Sequence, residues 1–254
     1  MCDSKMASSS ASKKPVSKSI SVFFPAYNDE ASIEKMVLDA LQVLKKFSSD
    51  YEVIVVDDAS PDRAGMIADN LAKKHPRVKV VHHKKNRGYG GALKSGFKAA
   101  SKELIFYTDG DAQFDAKELE KLLPYIDDYD MVNGYKTKRS DNAVRVFFGN
   151  LYNSGSRLFF GIKIRDIDCD FRLFNRRVID SISLESDSGL ICVEMMKKIT
   201  DKGFSIKEVP ISHFHRVSGG STFFKPKKIL VTLAAWARLW WKLVLGKKLG
   251  LTKG

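Results

Sequence analysis

Acidic residues are missing from the last part of this chain, and cysteines are scarce throughout. The 254 residues include 43 Lys and Arg but only 30 Asp and Glu, a formal net charge of +13, and no acid follows Glu208. A basic segment of this kind favours a polyanionic partner, either an anionic membrane surface or nucleic acid. Cys2, Cys169 and Cys192 form neither a metal-ligand spacing nor an even disulfide set, so we expect a reducing compartment.

Long uncharged apolar runs are missing as well. Residues 1–18 are rich in Ser, Ala and Lys without the apolar centre of a signal peptide, so we expect a disordered basic arm. The apolar run 229–245 is interrupted by Arg238 and Lys242, which leaves too short a stretch for a membrane span. A broad apolar face with basic neighbours favours an amphipathic helix lying on the bilayer surface. Packing of this helix on the domain core is the alternative.

Two common nucleotide-binding motifs are absent. The segment 86–91, Asn-Arg-Gly-Tyr-Gly-Gly, looks like a phosphate loop, but it does not match G-x-x-x-x-G-K-[ST]. It also fails G-x-G-x-x-G, because Leu93 takes the last place. A P-loop NTPase and a dinucleotide-dependent dehydrogenase are therefore disfavoured. A glycine loop at a helix start, with Arg87 and Gly88, still suits a diphosphate.

Short β-branched runs alternate with helical patterns in the first half of the chain. The runs lie at 20–24, 53–56, 78–81, 104–107 and 130–132, and helices are expected over 32–47, 63–74, 91–100 and 116–126. This order predicts an α/β domain with a mostly parallel sheet covered on both faces. Further along, we expect helices over 144–160 and 190–202 and strands within 162–174 and 204–209.

Ligands of open α/β sheets bind beyond the carboxyl ends of the strands. This rule places Tyr27, Asp57, Asp58, the 86–91 loop and Asp109 on one edge of the predicted sheet. Asp57 and Asp58 are adjacent acids that can accept hydrogen bonds from a base or a ribose. Capping of the next helix is their alternative role.

The most informative stretch is Asp109-Gly110-Asp111-Ala112-Gln113, which follows the buried run 104–107. Two carboxylates that converge at the end of a strand repel each other unless a cation lies between them. Hard oxygen ligands suit Mg²⁺ or Mn²⁺, and these ions typically also hold substrate phosphates. An acidic turn before a helix is the alternative, but the position on the ligand edge favours a metal and diphosphate site.

Two later segments carry further candidate groups. In the loop 215–221, Arg216 can bind a phosphate through two hydrogen bonds, whereas His213 and His215 lack the neighbours of a metal site. Asp166, Asp168 and Asp170 alternate, so a strand would place all three on one face as candidate bases. A solvated strand face is the alternative for these acids, and solvated charge is the alternative for Arg139 and Arg145.

Several motifs together resemble family 2 glycosyltransferases of the GT-A fold. They occur in the expected order at 24–30, 55–60, 86–92 and 108–111. The downstream segments 166–174 and 215–221 are similar to the branch of dolichol-phosphate mannose synthase and related polyprenyl-phosphate glycosyltransferases. One departure concerns 169–172, where this chain has Cys-Asp-Phe-Arg and the mannose synthases usually have Ser-Gly-Phe-Arg. The sugar therefore stays open.

The resemblance covers residues 19–222 and implies a Rossmann-like GT-A domain, between the arm 1–18 and a membrane-associating tail 223–254. It implies a nucleotide-sugar site formed by Pro25, Tyr27, Glu30, Asp57, Asp58, Arg87, Gly88, Asp109 and Gly110. The metal would be held by Asp109, Asp111 and Gln113. The acceptor or donor phosphate would meet Arg139, Arg145, His215, Arg216 and Ser221. The catalytic residues would be Asp109, Asp111, Asp168, Asp170 and Arg172.

These observations predict an enzyme. We expect a metal-dependent, inverting transfer of a hexose from GDP-mannose or a UDP-sugar to a polyprenyl phosphate of the dolichyl type. The protein would lie peripherally on the cytoplasmic face of a membrane, and the need for a membrane partner subunit stays open. One alternative is a family 2 glycosyltransferase that acts on a soluble or protein-linked glycan. The other, a nucleic-acid-binding protein, is disfavoured because no recognition module is evident.

Overall fold

A seven-stranded sheet forms the centre of the computed structural model, which describes residues 18–137, 143–216, 226–246 and 248–249, without the side chains of 143–145, 147 and 226–229. The strands are β1 (Ile20–Ala26), β2 (Tyr51–Asp57), β3 (Val78–His82), β4 (Leu104–Thr108), β5 (Met131–Lys136), β6 (Phe171–Asn175) and β7 (Ile206–Ile211). Their order is β3-β2-β1-β4-β6-β5-β7. Strand β6 runs antiparallel to both of its neighbours, and the other pairs are parallel.

Helices cover both faces of this sheet. In the described residues they are α1 (Ile33–Phe47), α2 (Ala64–Lys74), α3 (Gly88–Ala99), α4 (Ala143–Phe160), α5 (Arg176–Asp180), α6 (Ile191–Asp201) and α7 (Pro226–Trp240). Alternate residues of each strand serve opposite faces. Val22 and Phe24 pack in the core that contains α1 and α2, whereas Phe23 packs in the core that contains α3 and α6. The predicted mostly parallel, doubly covered sheet is confirmed.

Two predicted elements are wrong in detail. The helix expected over 116–126 is instead a pair of 3₁₀ helices, Ala116–Lys121 and Leu123–Tyr125. Pro124 lies inside this stretch, and a residue without a backbone N–H disfavours a continuous α-helix there. Of the stretch 162–174, only the part from Phe171 onward is a strand. The residues before it bond to side chains instead, as when Ile167 N donates to Asn153 Oδ1 at 3.2 Å.

The C-terminal helix packs on the domain through part of its surface, as the alternative interpretation predicted. One face of α7 packs on the domain: Trp236 Nε1 donates to Ser156 Oγ at 3.0 Å, and Trp240 Nε1 donates to the carbonyl of Phe159 at 2.8 Å. A π-helix, Trp241–Gly246, continues from it. In the described parts of the chain, no helix is both long and apolar enough to cross a membrane. The domain boundary near residue 222 and the role of the tail at a membrane stay predictions.

Glu52 is a buried acid that joins three strands and the start of the segment before β4. Its Oε1 accepts hydrogen bonds from Ser21 Oγ at 2.6 Å and from Ser101 N at 2.7 Å, and its Oε2 accepts one from Lys79 Nζ at 2.6 Å. Burial alone would raise the pKa of Glu52. The hydrogen bonds from Lys79, Ser21 and Ser101 outweigh burial and lower that pKa from 4.5 to about 2.

We expect Glu52→Gln to lower the free energy of unfolding at pH 7 by about 1–3 kcal/mol, because a charged acceptor of several hydrogen bonds is lost. A depressed pKa contributes stability that is present above the unfolded-state pKa and is lost as the pH falls from 4.5 towards 2. Urea unfolding should therefore show a smaller difference in the free energy of unfolding between wild type and variant at pH 3 than at pH 7. Exposed Glu34→Gln is the control. An equal difference at both pH values would contradict this account.

Candidate active site

The loops that leave β1 and β4 touch at the carboxyl edge of the sheet. Gly110 N donates to the carbonyl of Pro25 at 3.3 Å, and Ser32 Oγ donates to the carbonyl of Gly110 at 2.7 Å. A Cβ atom on Gly110 would lie 3.1 Å from the Pro25 oxygen, a tight contact that glycine avoids. The contact brings Asp109 and Asp111 next to the turn after β1.

Arg216 joins two acids from these loops. Its Nη2 donates to Asp29 Oδ1 at 3.0 Å, and its Nε lies 3.6 Å from Asp111 Oδ2. Asp29 is 4% exposed, and its second oxygen accepts a hydrogen bond from Tyr27 N at 2.9 Å. Burial raises the pKa of Asp29, and the nearby charge of Asp111 adds to this against the lowering effect of Tyr27 N and Arg216. The guanidinium thus contacts two carboxylates without fully compensating the burial of Asp29.

Asp109 is the most strongly perturbed acid of this edge. Tyr89, on α3, donates its hydroxyl to Asp109 Oδ1 at 2.8 Å. Burial raises the pKa of Asp109 well above its usual value, and the charges of Asp170 and Asp111 raise it further. A carboxylate surrounded in this way favours either a proton or a metal cation.

A divalent cation fits this set of oxygens. Across the described residues, no group of three or more His, Cys, Asp or Glu side chains is placed to hold a metal. Mg²⁺, however, is usually bound through one or two carboxylates together with substrate phosphates and water. Asp109 and Asp111 therefore suit a cation that is shared with a bound diphosphate. The amide nitrogen of Gln113 lies 3.3 Å from His213 Nε2 and 3.4 Å from the Phe214 carbonyl, so metal ligation by Gln113 stays a prediction.

The acids before β6 do not lie on one strand face, and that prediction is wrong because residues 165–170 form no strand. Asp166 lies 3.4 Å from Lys136 Nζ, which also donates to the carbonyl of Asp168 at 2.8 Å. Asp170 Oδ1 accepts a hydrogen bond from the Tyr107 hydroxyl at 3.3 Å, and its charge raises the pKa of Asp109. Cys192 Sγ contacts Asp170 Oδ1 at 3.1 Å.

The buried side chain of Arg172 holds the segment 166–170 in place. Its side chain is fully buried and donates to Asn133 Oδ1 at 3.0 Å, to the Tyr107 hydroxyl and to the carbonyl of Ile167. It also lies 3.5 Å from Asp170 Oδ1. A guanidinium without solvent exposure acts through its neighbours, so Arg172 has the contacts of a positioning residue rather than of the catalytic residue predicted from the sequence.

Asp168 has a pKa near neutrality. Burial raises it, Lys136 lowers it, and the charges of Asp166 and Asp170 raise it again, to about 7. Tyr152, on α4, is close enough for the charge of Asp168 to raise the pKa of the tyrosine hydroxyl after the larger effect of burial. Asp168 is therefore able to gain or lose a proton near pH 7.

Asp57 and Asp58 are bonded to a pair of histidines at the end of β3. His82 Nδ1 lies 2.8 Å from Asp57 Oδ2, and His83 Nδ1 lies 2.6 Å from Asp58 Oδ1. Neither acid caps the following helix, whose N-cap is Arg63. The two acids are thus held at the ligand edge by partners on the neighbouring strand.

The glycine loop does not show the open N–H groups of a phosphate site. Arg87 N donates to Asp58 Oδ1, Gly88 N to Asn86 Oδ1 and Gly90 N to the Asp187 carbonyl, at 2.8, 3.0 and 3.0 Å. Cβ atoms on Gly88 and Gly90 would lie 2.5 and 2.2 Å from backbone oxygens of 186–187. These glycines permit close packing of that segment, so the predicted diphosphate contact through the loop finds no support in the geometry.

The remaining predicted residues have weaker support, and only some of them lie in the described parts of the chain. Tyr27 is exposed at the rim, Glu30 Oε2 accepts a hydrogen bond from Arg63 N at 3.1 Å, and His215 is exposed. Arg139 and Ser221 lie outside the described residues, as does the side chain of Arg145.

Several groups at this edge were not predicted. The acid Asp29 and the hydroxyl of Tyr89 were missed, although both lie in motifs noted in the sequence. His82 and His83 directly follow a predicted strand, so the ligand-edge rule could have placed them at this edge. The sequence around Cys192 does not indicate a site residue, because only the packing of α6 brings Cys192 to Asp170.

Several known proteins are similar to this chain. The model of the family described as Glycosyl transferase family 2 matches residues 21–183. The chain is 30% identical over 224 residues to the polyprenol monophosphomannose synthase of Mycolicibacterium smegmatis, with 83% of each chain covered. It is 29% identical over 227 residues to the dolichyl-phosphate beta-glucosyltransferase of Saccharomyces cerevisiae, covering 79% of this chain and 68% of that protein.

Two further similar proteins differ in how much of their length this chain covers. The chain is 29% identical over 236 residues to glycosyltransferase AglD of Haloferax volcanii, covering 89% of this chain but only 38% of that longer protein. A solved structure, glucosyl-3-phosphoglycerate synthase from Mycobacterium tuberculosis in complex with Mn²⁺, uridine-diphosphate and glucosyl-3-phosphoglycerate, matches with a TM-score of 0.64 and 18% identity. It covers 93% of this chain and 82% of that one. At this identity the structural likeness concerns the fold alone.

We expect Gly90→Ala to destabilise the protein by about 1–3 kcal/mol, because its Cβ would overlap the Ser186 carbonyl oxygen. Gly155→Ala, in α4, is the matched control. Its Cβ would meet nothing within 4 Å, and alanine is the better helix former, so stability should be equal or about 0.5–1 kcal/mol higher. Thermal or urea unfolding checks both variants. Equal stabilities of Gly90→Ala and wild type would contradict this packing of 186–187 against the loop. An open phosphate loop would then be favoured again.

Proposed function

The chain belongs to glycosyl transferase family 2, and from that membership we propose that it transfers a hexose from a nucleotide-diphosphate sugar to a polyprenyl phosphate at a membrane surface. Two similar proteins are named for transfer to a polyprenol or dolichyl phosphate. The observation that carries the proposal is the group of carboxylates Asp109, Asp111 and Asp170 with Arg216 beside it, at the carboxyl edge of the sheet.

In the proposed reaction, an oxygen of the acceptor phosphate attacks C1 of the hexose from the side opposite the donor diphosphate. The new C1–O bond forms, the bond between C1 and the diphosphate oxygen breaks, and the electron pair leaves with the nucleoside diphosphate. The anomeric configuration is thereby inverted. Because the acceptor oxygen is already anionic, no base has to remove a proton from it.

The site residues have distinct tasks in this scheme. Asp109 and Asp111 would hold Mg²⁺ or Mn²⁺, which when bound neutralises charge on the leaving diphosphate. Arg216 lies within reach of Asp111 and presents a guanidinium, a group that binds phosphate oxygens in pairs. Arg172, 3.5 Å from Asp170, would keep that carboxylate at the edge of the sheet. The donor base and the sugar are left to experiment.

A second candidate acceptor is a hydroxyl of a soluble or protein-linked glycan. Such an acceptor must lose a proton during attack, and a carboxylate with a pKa near the working pH is suited to take it. Asp168, with a pKa of about 7, is the residue that favours this alternative.

A donor and acceptor screen tests the proposed transfer. Radiolabelled GDP-mannose, UDP-glucose and UDP-GlcNAc are each incubated with dolichyl or undecaprenyl phosphate and Mg²⁺ or Mn²⁺. We expect a lipid-linked product with one donor, loss of that product on chelation, and a rate at least ~100-fold lower for Asp111→Ala. Asp128→Ala removes an exposed carboxylate at the opposite edge of the sheet and should act as wild type. Absence of a lipid product with every donor would contradict the proposal.

Replacement of Asp168 separates the two acceptors. With a polyprenyl phosphate, Asp168→Asn should keep kcat within about 10-fold of wild type, since no proton is taken from the acceptor. With a hydroxyl acceptor, kcat should fall by about 10²–10⁴. In that case the wild-type rate should also decline as the pH drops below 7, because the base becomes protonated. The pH profile of kcat for both proteins distinguishes these results.

A further inference from the structure

His82 lies between two carboxylates at the carboxyl end of β3. Its Nδ1 lies 2.8 Å from Asp57 Oδ2, on the neighbouring strand β2, and its Nε2 lies 2.9 Å from Asp69 Oδ1, on α2. The backbone of Gly65 closes the same corner, since a Cβ atom there would lie 2.5 Å from Asp57 Oδ2 and 3.5 Å from His82 Cε1. Asp57 from β2 and Asp69 from α2 thus face the ring with one negative charge each.

This arrangement suits a protonated ring. Ionised carboxylates accept hydrogen bonds and cannot donate them, whereas a neutral imidazole donates through one nitrogen alone. The imidazolium donates through both nitrogens and places a positive charge between the two acids. In agreement, the hydrogen bonds to Asp69 and Asp57 raise the pKa of His82 against the opposing effect of burial. When the ring loses its proton, it therefore loses one of its two hydrogen bonds.

The neighbouring His83 differs in this respect. Its Nδ1 lies 2.6 Å from Asp58 Oδ1, but its Nε2 lies 2.8 Å from the hydroxyl of Ser95. A serine hydroxyl can donate as well as accept, so a neutral His83 ring satisfies both partners. Of these two rings, His82 is the one whose pair of contacts depends on its charge.

Asp57 connects His82 to the turns at the ligand edge of the sheet. Its second oxygen accepts a hydrogen bond from Ser60 N at 2.9 Å, and Ser60 Oγ in turn accepts one from Asn28 N at 2.8 Å. Asn28 follows Tyr27 in the turn after β1. A displacement of the Asp57 carboxylate would therefore reach the turns that follow both β1 and β2.

We propose that the His82 imidazolium is a positioning residue for the nucleotide part of the donor: it ties the Asp57 carboxylate to α2, and the affinity for the nucleotide falls when the ring loses its proton. This inference rests on the proposed function, with Asp57 in the predicted nucleotide site. It goes beyond that function because donor binding then depends on a ring that need not touch the nucleotide. Asp57 keeps its contact with Ser60 N in either state, so the affinity is weakened rather than lost.

Nucleotide binding to the full chain tests this inference, with UDP and GDP titrated calorimetrically in the presence of Mg²⁺ between pH 6 and pH 9. We expect His82→Gln to bind the nucleotide about 3- to 10-fold more weakly than wild type at pH 6, because a neutral amide replaces the cation. At pH 9 the two proteins should bind alike, since the wild-type ring is then neutral as well. Other titrating groups of this edge are the same in both proteins, so the ratio of their Kd values reports on His82.

Asp69→Asn distinguishes this role of His82 from a merely structural one. The substitution leaves the ring in place but removes the carboxylate whose hydrogen bond contributes most to the raised pKa of His82. The fall in affinity should therefore occur at a lower pH than in wild type. His75→Gln is the matched control, because His75 is the C-cap at the far end of α2, and this variant should bind as wild type at every pH.

Three results would overturn the inference. They are a ratio of Kd values between His82→Gln and wild type that does not change with pH, a midpoint that Asp69→Asn leaves unchanged, and no binding of UDP or GDP by wild type at any pH. The first two results would leave the transfer reaction intact, whereas the third would also contradict a nucleotide-sugar donor. The titrations contain no acceptor, so a failed transfer to lipid would leave the binding results intact.

Discussion

Mutual repulsion between carboxylates at the carboxyl edge of the sheet is the constraint on which the site depends. Asp29, Asp109 and Asp111 come from two adjacent strand ends, and Asp170 approaches from a third segment. Burial and the charges of Asp170 and Asp111 raise the pKa of Asp109, so the carboxylates of this edge are not fully compensated. Arg216 supplies one cation, and in the proposed function a metal ion bound together with the substrate diphosphate would supply the rest.

Buried side chains beneath the carboxyl edge of the sheet hold these carboxylates in position. Strand β6 is inserted antiparallel between β4 and β5, and its Arg172 reaches Tyr107, Asn133 and the backbone before Asp168. A buried guanidinium with several acceptors is costly to disturb, which makes it a firm support for a loop that carries acids. On the other side, His82 and His83 fix Asp57 and Asp58. These acids are therefore positioned by side chains of neighbouring strands and segments.

The sequence predicted the parts of the molecule that depend on local pattern. Alternation of β-branched runs and helices located the strands, and the ligand-edge rule brought Asp57, Asp58 and Asp109 to one edge. Contacts between distant segments were out of reach: Gly88 and Gly90 are required by the close approach of 186–187, and Asp170 comes near Asp109 because β6 pairs with β4. The acids of 166–170 alternate in the sequence, yet side-chain hydrogen bonds replace a strand there.

The most direct test of the central claim is a crystal structure with Mn²⁺ and a nucleoside diphosphate, with the metal located by anomalous scattering. The account predicts one strong anomalous peak that contacts Asp109 and Asp111 and the oxygens of the diphosphate, with Arg216 beside the phosphates. A metal bound elsewhere, or a diphosphate bound at this edge with no contact to Asp109 and Asp111, would contradict it.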